Sequence, residues 1–204
     1  MWNSRYAGQE FVYGKTPNKF LESHIDVFKP NSQILFAAEG EGRNAVFALK
    51  KGMKAVAVDY SEKAKNKALK LAAENLVQLD YHIGDLLEMD FPEEYFDGIV
   101  LIYAHFPSQV RKKIHQKLQK LLKPNAILLL ESFSKNHLEV SKNNLRTSGP
   151  QNIDMLYTVD LLKEDFNEVD FSLALEESDV LAEGAYHEGN SSLIRMIGTK
   201  NENA

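Results

Sequence analysis

The sequence predicts an α/β fold, built on a doubly wound, mainly parallel seven-stranded sheet with helices on both faces and an antiparallel C-terminal hairpin strand. Apolar runs of strand length recur without alternating polar residues, as is typical of strands buried on both faces. Helical patterns lie between these runs, and such alternation produces right-handed crossovers and therefore a parallel sheet. The last two strand candidates are separated only by a short turn, so they must pair antiparallel.

Five apolar runs supply the parallel strands, in the order ILFAA (34–38), AVAVD (55–59), LDYHI (79–83), GIVLIY (98–103) and AILLLE (126–131). LDYHI is the weakest of these patterns. The C-terminal hairpin is predicted from FSLALEESDVL (171–181) and SSLIRMIGT (191–199), which flank the turn-rich segment AEGAYHEGN.

Helix starts are indicated by capping residues that precede amphipathic patterns. Thr16 and Pro17 are predicted as the N-cap and first residue of a helix before the first strand. Ser61 caps a helix after the second strand, and Thr158 opens a short one ending near Phe166. A further helix is expected to begin near Arg43, and another covers residues 107–122. The basic residues at 111–123 are interpreted as the solvent-exposed face of the helix over residues 107–122, and not as a nucleic-acid surface.

The amino-acid composition and net charge are those of a globular protein without a nucleic-acid or membrane surface. The 204 residues are 44% hydrophobic and 26% charged, which is typical of a globular domain. We expect one domain over residues 1–204, with a lid and helix segment at 1–30 and a core at 31–204. A formal net charge of -5 provides no positive excess to attract nucleic acid or anionic lipid. The expectation is a cytoplasmic monomer or weak homodimer that binds a small-molecule substrate and no membrane.

Metal and thiol chemistry is not indicated. The chain has no cysteine, which excludes a disulfide framework and a thiolate nucleophile. None of its six histidines pairs with another at the helical spacing of a zinc site. We therefore predict no metal.

The first strand is followed by the glycine-rich stretch AEGEGRNA (38–45). Gly40 and Gly42 permit a tight turn and close backbone approach, and the next helix points unpaired N–H groups at whatever occupies the turn. Asp59 ends the second strand, 17 residues after Gly42, where it can accept hydrogen bonds from a ribose diol. The sequence therefore predicts a nucleoside site at the carboxyl ends of the strands.

Two ligands are compatible with this turn. Gly40, Gly42 and Ala45 satisfy G-x-G-x-x-A, which would suit a nicotinamide-dependent oxidoreductase. However, Glu39 and Glu41 would repel its pyrophosphate. S-adenosylmethionine fits better because its carboxylate can meet the helix N-terminus while its ammonium tolerates acidic surroundings.

At this point the sequence resembles the class I S-adenosylmethionine-dependent methyltransferases, and more narrowly the small bacterial tellurite-resistance and thiopurine-type enzymes. The resemblance runs nearly end to end. It is carried by WNSRYAGQEFVYGKTPNKFL near the N-terminus, AEGEGRNA (38–45), AVAVDYS (55–61), GDL (84–86), FDGIVLIYAHFP (96–107), LKPNAILLLE (122–131) and GPQNIDMLYT (149–158).

The resemblance implies S-adenosyl-L-methionine as cofactor, with Asp59 on the ribose and Asp85 on the adenine amino group. Tyr60 and Leu86 would flank the adenine. The full implied set of cofactor-binding residues is Ala38, Glu39, Gly40, Gly42, Asn44, Asp59, Tyr60, Asp85, Leu86 and Ala104. Phe36 and Ala38 stand where the family usually has an acid and a glycine, so a non-catalytic S-adenosylmethionine-binding domain stays open as an alternative.

Methyl transfer requires the protein chiefly to align and desolvate the acceptor, with a general base only where the nucleophile arrives protonated. The candidates that topology and the resemblance place on the acceptor side are Tyr13, Tyr103, His105, Arg146 and His187, with Tyr186 beside the last. His105 has a structural alternative, in which the backbone satisfies its imidazole. Trp2, Tyr6, Phe11 and Tyr13 could form either a lid or a packing cluster.

Overall fold

The computed structural model describes residues 2–143, 149–184 and 186–202. Within them, seven strands form one sheet: β1 (Gln33–Ala37), β2 (Lys54–Asp59), β3 (Asp80–Ile83), β4 (Phe96–Ile102), β5 (Leu122–Phe133), β6 (Val169–Ala182) and β7 (Glu188–Lys200). Their order across the sheet is β3-β2-β1-β4-β5-β7-β6. The first five strands pair in parallel, and β7 is inserted antiparallel between β5 and β6. The predicted fold class is confirmed.

The helices are α1 (Trp2–Arg5), α2 (Lys19–His24), α3 (Arg43–Lys50), α4 (Glu62–Glu74), α5 (Ser108–Leu121), α6 (His137–Val140) and α7 (Val159–Asp165), with 3-10 turns at Ile25–Val27 and Ile153–Met155. Buried residues of α2, α3 and α4 share one apolar core on one face of the sheet. Those of α5 and α7 share the core on the other face. The predicted two-sided covering is therefore present.

Two of the predicted caps are confirmed. The Ser61 hydroxyl accepts a hydrogen bond from the Ala64 N–H at 3.2 Å, and the Thr158 hydroxyl accepts one from the Leu161 N–H at 3.2 Å. The prediction for α2 was wrong, because Asn18 is its cap in place of Thr16. The Asn18 side-chain oxygen accepts from the Leu21 N–H at 3.0 Å, which starts the helix at Lys19, beyond Pro17.

The strand order reverses between β1 and β4, since the chain moves outward from β1 through β2 to β3 and then returns to β4. Ligands of open α/β sheets bind at the carboxyl ends of the strands beside such a reversal. Four segments meet at this edge, namely residues 38–42, 59–61, 84–86 and 103–105. The fold therefore assembles the predicted site residues from separate parts of the chain.

Among the described residues, none of the helices combines the length and the apolar character needed to cross a lipid bilayer.

Candidate cofactor and acceptor site

The turn after β1 bends sharply at three positions. Ala38, Gly40 and Gly42 have positive φ angles of 57°, 62° and 85°. This region is open to glycine but costs a residue with a Cβ about 1 to 3 kcal/mol, so Ala38 stores strain in the turn. A Cβ on Gly42 would lie 2.6 Å from the Cβ of Ala68, which means that this glycine lets α4 pack against the turn. The turn thereby aims the start of α3 at the strand ends.

The Glu39 carboxylate binds backbone amides of the protein itself. One oxygen accepts hydrogen bonds from the N–H groups of Asn44 at 2.9 Å and Ala45 at 2.8 Å, which caps α3. Burial raises the pKa of Glu39 to about 7, although these amides and Arg43 oppose the rise. The expectation that a ligand carboxylate would meet the free start of this helix is wrong for these two amides, because Glu39 already occupies them.

Asp59 closes the edge between β1 and β2. One of its oxygens accepts from the Gly40 N–H at 3.0 Å and the other from the Ser61 N–H at 2.9 Å. Burial raises the pKa of Asp59, while the backbone hydrogen bonds oppose the shift. Each carboxylate oxygen retains a further acceptor position. Asp59 can therefore hold the turn and still receive hydroxyl donors.

Asp85 lies beyond the end of β3, where it accepts from the Leu87 N–H at 2.8 Å. Tyr60 lies beside Asp85, and partial burial together with this carboxylate raises the pKa of Tyr60 to about 12. The Tyr60 ring is 54% exposed beside it. Leu86, in contrast, is buried in the apolar core and offers little side-chain surface to a ligand. Ile83, 43% exposed and paired in register with Asp59, provides apolar surface that the sequence analysis did not assign.

Residues 2–16, which we call the strap, cover this edge. The Tyr6 hydroxyl lies 2.7 Å from the position that a Cβ on Gly40 would occupy, and Tyr6 is only 5% exposed. Burial, and then the charge of Asp59, raises the pKa of Tyr6 above its usual value, so its hydroxyl is neutral. A nucleoside that contacts Gly40 therefore requires Tyr6 to move aside.

Glu41 fastens the strap. One carboxylate oxygen accepts from the backbone N–H groups of Val12 at 2.8 Å and Tyr13 at 3.3 Å. The other pairs with the Lys67 ammonium at 2.7 Å, and Lys67 also donates to the Glu10 carbonyl at 2.6 Å. Both charged side chains are largely buried. The second acid of the glycine turn therefore binds the N-terminal segment of the protein itself.

Two further cofactor candidates are engaged elsewhere. The side-chain oxygen of Asn44 accepts from the Asn18 N–H at 2.9 Å, which anchors the start of α2. Ala104 is buried in the core, and its carbonyl accepts from the Tyr157 hydroxyl at 3.3 Å. Asn44 therefore helps to hold the start of α2, a role that its position in the sequence did not indicate.

The remaining set fits a nucleoside cofactor. The turn at 38–42, Asp59, Tyr60 and Asp85 lie at the carboxyl ends of adjacent parallel strands, with acceptors and an exposed ring in the order that a ribose and an adenine need. The condition for this fit is that the strap lifts from Gly40.

On the acceptor side, Tyr103 follows β4 with a positive φ of 53°. Its ring stacks on Phe133 with 4.9 Å between centroids, and its hydroxyl accepts a hydrogen bond from the Asn18 amide at 3.5 Å. Burial raises the pKa of Tyr103 well above its usual range, and the Glu131 charge adds to the shift. The hydroxyl is thus neutral and committed to a protein partner.

His105 has both ring nitrogens bonded to the backbone. Its Nδ1 lies 2.7 Å from the Met155 carbonyl oxygen, and its Nε2 accepts from the Phe133 N–H at 3.2 Å. Burial lowers the pKa of His105 to about 4, which keeps the imidazole neutral. This arrangement favours the structural alternative for His105 over a catalytic one.

His187 differs from His105. Its ring lies 4.5 Å from the Tyr13 ring and 4.1 Å from the Tyr103 ring, measured between centroids. Its Nδ1 is buried and has no hydrogen-bond partner within the described part of the chain. Tyr186, beside it, stacks under the Arg5 guanidinium at 4.4 Å. Arg146 lies outside the described residues.

A buried polar network that the sequence analysis missed lies beneath Tyr103. The Asn18 amide donates to Glu131 at 2.6 Å and to Glu183 at 3.2 Å. Glu131 pairs with Arg195 at 2.5 Å, and Glu183 pairs with Arg43 at 2.7 Å. Glu131 could have been noticed, because it is an acid within an apolar strand that ends at the ligand edge. Among the described residues, no three potential ligands are grouped to hold a metal ion.

Comparison with known proteins gives a consistent result. Residues 34–125 match a family model described as a methyltransferase domain. A curated relative, the ribosomal protein L11 methyltransferase of Dictyoglomus turgidum, is 28% identical over 145 residues. The match covers 70% of this chain and 47% of the relative, so the chain spans about half of the relative's length.

Three solved structures share the fold. One, solved for the conversion of a disulfide bond into a thioacetal group during echinomycin biosynthesis, has a TM-score of 0.75 at 15% identity, covering 100% of this chain and 92% of that one. TehB from Haemophilus influenzae gives 0.72 at 13% identity, covering 98% and 66%. A SAM-dependent methyltransferase from Methanosarcina mazei gives 0.70 at 15% identity, covering 91% and 99%.

Proposed function

We propose that this chain, whose residues 34–125 match a methyltransferase-domain family model, is a class I S-adenosylmethionine-dependent enzyme that transfers a methyl group to a small-molecule acceptor. The observation that carries the proposal is the convergence of the glycine turn, Asp59 and Asp85 at the carboxyl ends of adjacent strands, all within the matched region. In this proposal residues 1–204 act as one domain.

In this proposal, different residues bind the ribose and the adenine of S-adenosylmethionine. Asp59 would accept hydrogen bonds from the two ribose hydroxyls, and Asp85 from the adenine amino group, with Tyr60 and Ile83 as apolar surface beside the base. Gly40 allows close backbone approach once Tyr6 leaves it. When bound, S-adenosylmethionine supplies a methyl group on a positively charged sulfonium and so brings most of its own activation.

The strap supports a small acceptor. Tyr6 covers the glycine turn and Tyr13 covers His187, so a closed strap would exclude water from both halves of the site. An enclosed site of this kind favours a small molecule over a macromolecule as the acceptor. The narrower grouping with tellurite-resistance and thiopurine-type enzymes belongs to this proposal, and it rests on the sequence segments that carry the resemblance.

The test is an acceptor screen with radiolabelled S-adenosylmethionine against a small-molecule library and, separately, against a proteome extract. The proposal predicts label in a small molecule and loss of that label in the Asp59→Asn variant. Label found only in protein would replace the small-molecule acceptor with the kind of acceptor that the name of the Dictyoglomus relative suggests. Tight cofactor binding without transfer to either pool would support the non-catalytic alternative.

A further inference from the structure

His187 immediately precedes β7, in the turn between the last two strands, and its ring is enclosed by three aromatic rings from three other segments. Tyr13 comes from the strap, Tyr103 follows β4, and Phe133 ends β5 at 5.5 Å between centroids. These segments meet at the ligand edge of the sheet. The imidazole therefore stands next to the strand end at which the proposed acceptor would lie.

The Nδ1 atom of His187 is buried without a partner among the described residues, in a side chain that is 7% exposed. A buried polar group left unpaired destabilises the folded state, and folded proteins rarely retain one without a reason. The neighbouring His105 shows the usual alternative, since both of its nitrogens are bonded to backbone groups. An unpaired nitrogen at the site is accounted for when a ligand supplies its partner.

The surroundings keep this imidazole neutral. Burial lowers the pKa of His187 well below its usual value, and the charges of Arg43 and Arg5 and the proximity of His105 and His137 act in the same direction. The tyrosines that face it, Tyr13 and Tyr103, are themselves neutral because burial raises their pKa values. A neutral imidazole carries a single proton, and the tautomer with that proton on Nε2 leaves the Nδ1 lone pair free to accept another.

Building on the proposed function, we propose that Nδ1 of His187 is the base that receives the proton of the methyl acceptor, and that this acceptor is a small, planar, uncharged molecule whose accepting oxygen, nitrogen or sulfur carries that proton. The accepting atom forms its bond to the methyl carbon as the carbon–sulfur bond of the sulfonium breaks and leaves its electron pair on sulfur. The proton passes to Nδ1 and returns to solvent when the strap opens.

The rings and the charges around His187 support this choice of acceptor. Once the strap opens and withdraws Tyr13, the rings of Tyr103 and Phe133 are the aromatic surface beside the imidazole, and such rings favour a planar partner. A neutral imidazole can accept a proton but cannot offset the charge of an anion, and the nearby Arg43 is already paired with Glu183. An acceptor that arrives ionised gains nothing from His187.

Two substitutions separate binding from proton transfer. In His187→Asn, the side-chain oxygen can take the place of Nδ1 and accept a hydrogen bond, but it cannot hold a proton at neutral pH. In His187→Phe, both functions are lost while the ring remains for packing. His24→Gln is the matched control, since His24 bonds to the Phe20 carbonyl at the end of α2, away from the strand ends.

The first readout requires no turnover. Histidine labelled for nitrogen NMR is observed in the full chain with S-adenosylhomocysteine, and phenol is titrated in as the acceptor probe. The His187 signals are assigned by their absence in His187→Asn, and we expect Nδ1 to be unprotonated and to shift as the phenol hydroxyl bonds to it. A protonated Nδ1, or no shift up to the solubility limit of phenol, would overturn the inference.

The second readout is the rate of methyl transfer to phenol compared with thiophenol, assayed above the pKa of the thiol so that it arrives as thiolate. A general base contributes about 100-fold or more, so we expect His187→Asn to lose that much on phenol and only a few-fold on thiophenol. His24→Gln should retain both rates. Equal losses on the two acceptors would show that His187 only shapes the pocket and would refute its role as a base.

Calorimetry with S-adenosylhomocysteine separates this inference from the proposed function. If the cofactor product binds to the wild-type protein and the NMR shift is absent, the base assignment alone fails. If S-adenosylhomocysteine does not bind to the wild type, the methyltransferase function itself fails, and the base assignment fails with it.

Discussion

At the scale of single residues, the two acids of the glycine turn have roles that their spacing could not show. Glu39 caps α3 and Glu41 holds the strap, and both tasks depend on where separate segments meet in three dimensions. Asp59 was predictable, because the end of a strand beside the first turn has a known position in this kind of sheet. The roles of Asn44 and His105 in backbone bonding emerge only from the folded structure.

The contribution of Asp59 to cofactor binding can be tested by Asp59→Asn. The asparagine side chain has no negative charge and only one accepting oxygen, so it cannot accept hydrogen bonds from both ribose hydroxyls. We therefore expect S-adenosylhomocysteine to bind more weakly by about 1.5 to 3 kcal/mol in calorimetry. Asp80→Asn is the matched control, since Asp80 begins β3 at the opposite end of the sheet. Equal affinity in wild type and Asp59→Asn would remove Asp59 from the cofactor site.

The lowered pKa of His105 makes the folding stability of the protein depend on pH. Its pKa is lowered by burial from 6.5 to about 4, so the unfolded chain binds this proton more readily than the folded protein does. The contribution of a neutral His105 is therefore fully present above about pH 6.5 and is lost as the pH falls towards 4. Between those limits the loss approaches about 3 kcal/mol.

The measurement is the free energy of unfolding by urea for wild type and His105→Gln, from neutral pH down to about pH 4. Glutamine can keep one donor and one acceptor for Met155 and Phe133, but it does not titrate. Because all other groups are common to both proteins, their effects cancel in the difference. We expect the advantage of the wild type to shrink as the pH falls, and a constant difference would show that His105 is not buried and neutral.

At the scale of elements, the strap and α2 show where sequence patterns lose information. The aromatic residues before α2 were equally compatible with a lid and with a packing cluster. Tyr6 has both features, since it is buried and also covers the turn, whereas Trp2 is 43% exposed. The start of α2 was misplaced because Thr-Pro is a strong local signal, whereas Asn18 is selected by its bonds to Asn44, Glu131 and Glu183 far along the chain.

The attachment of the strap can be tested by Glu41→Gln. The variant loses the charge that binds the Val12 and Tyr13 amides and Lys67, so we expect these two amides to exchange their hydrogens about ten-fold faster or more. Glu62→Gln is the control, since Glu62 is exposed in the first turn of α4. Unchanged exchange in Glu41→Gln would mean that other contacts hold the strap in place.

At the scale of the whole molecule, the strand and helix rhythm was enough to predict the sheet, its two covered faces and the antiparallel pairing of β6 with β7. These features follow from hydrophobic periodicity and from the handedness of crossovers, which are local or general rules. The buried network of Glu131, Glu183, Arg43 and Arg195 joins four distant segments beneath the site. No periodicity encodes such a network, and this is why the acceptor side of the site was the least predictable part.

We propose that the carboxyl ends of the strands bind the adenosine part of S-adenosylmethionine once the strap opens. Isothermal titration calorimetry of the wild-type chain with S-adenosylhomocysteine and, in parallel, with NADH tests this most directly. We predict one molecule of S-adenosylhomocysteine bound per chain and no heat of binding for NADH. Binding of NADH alone, or no binding of S-adenosylhomocysteine at millimolar concentration, would show that the strand ends do not form an S-adenosylmethionine site.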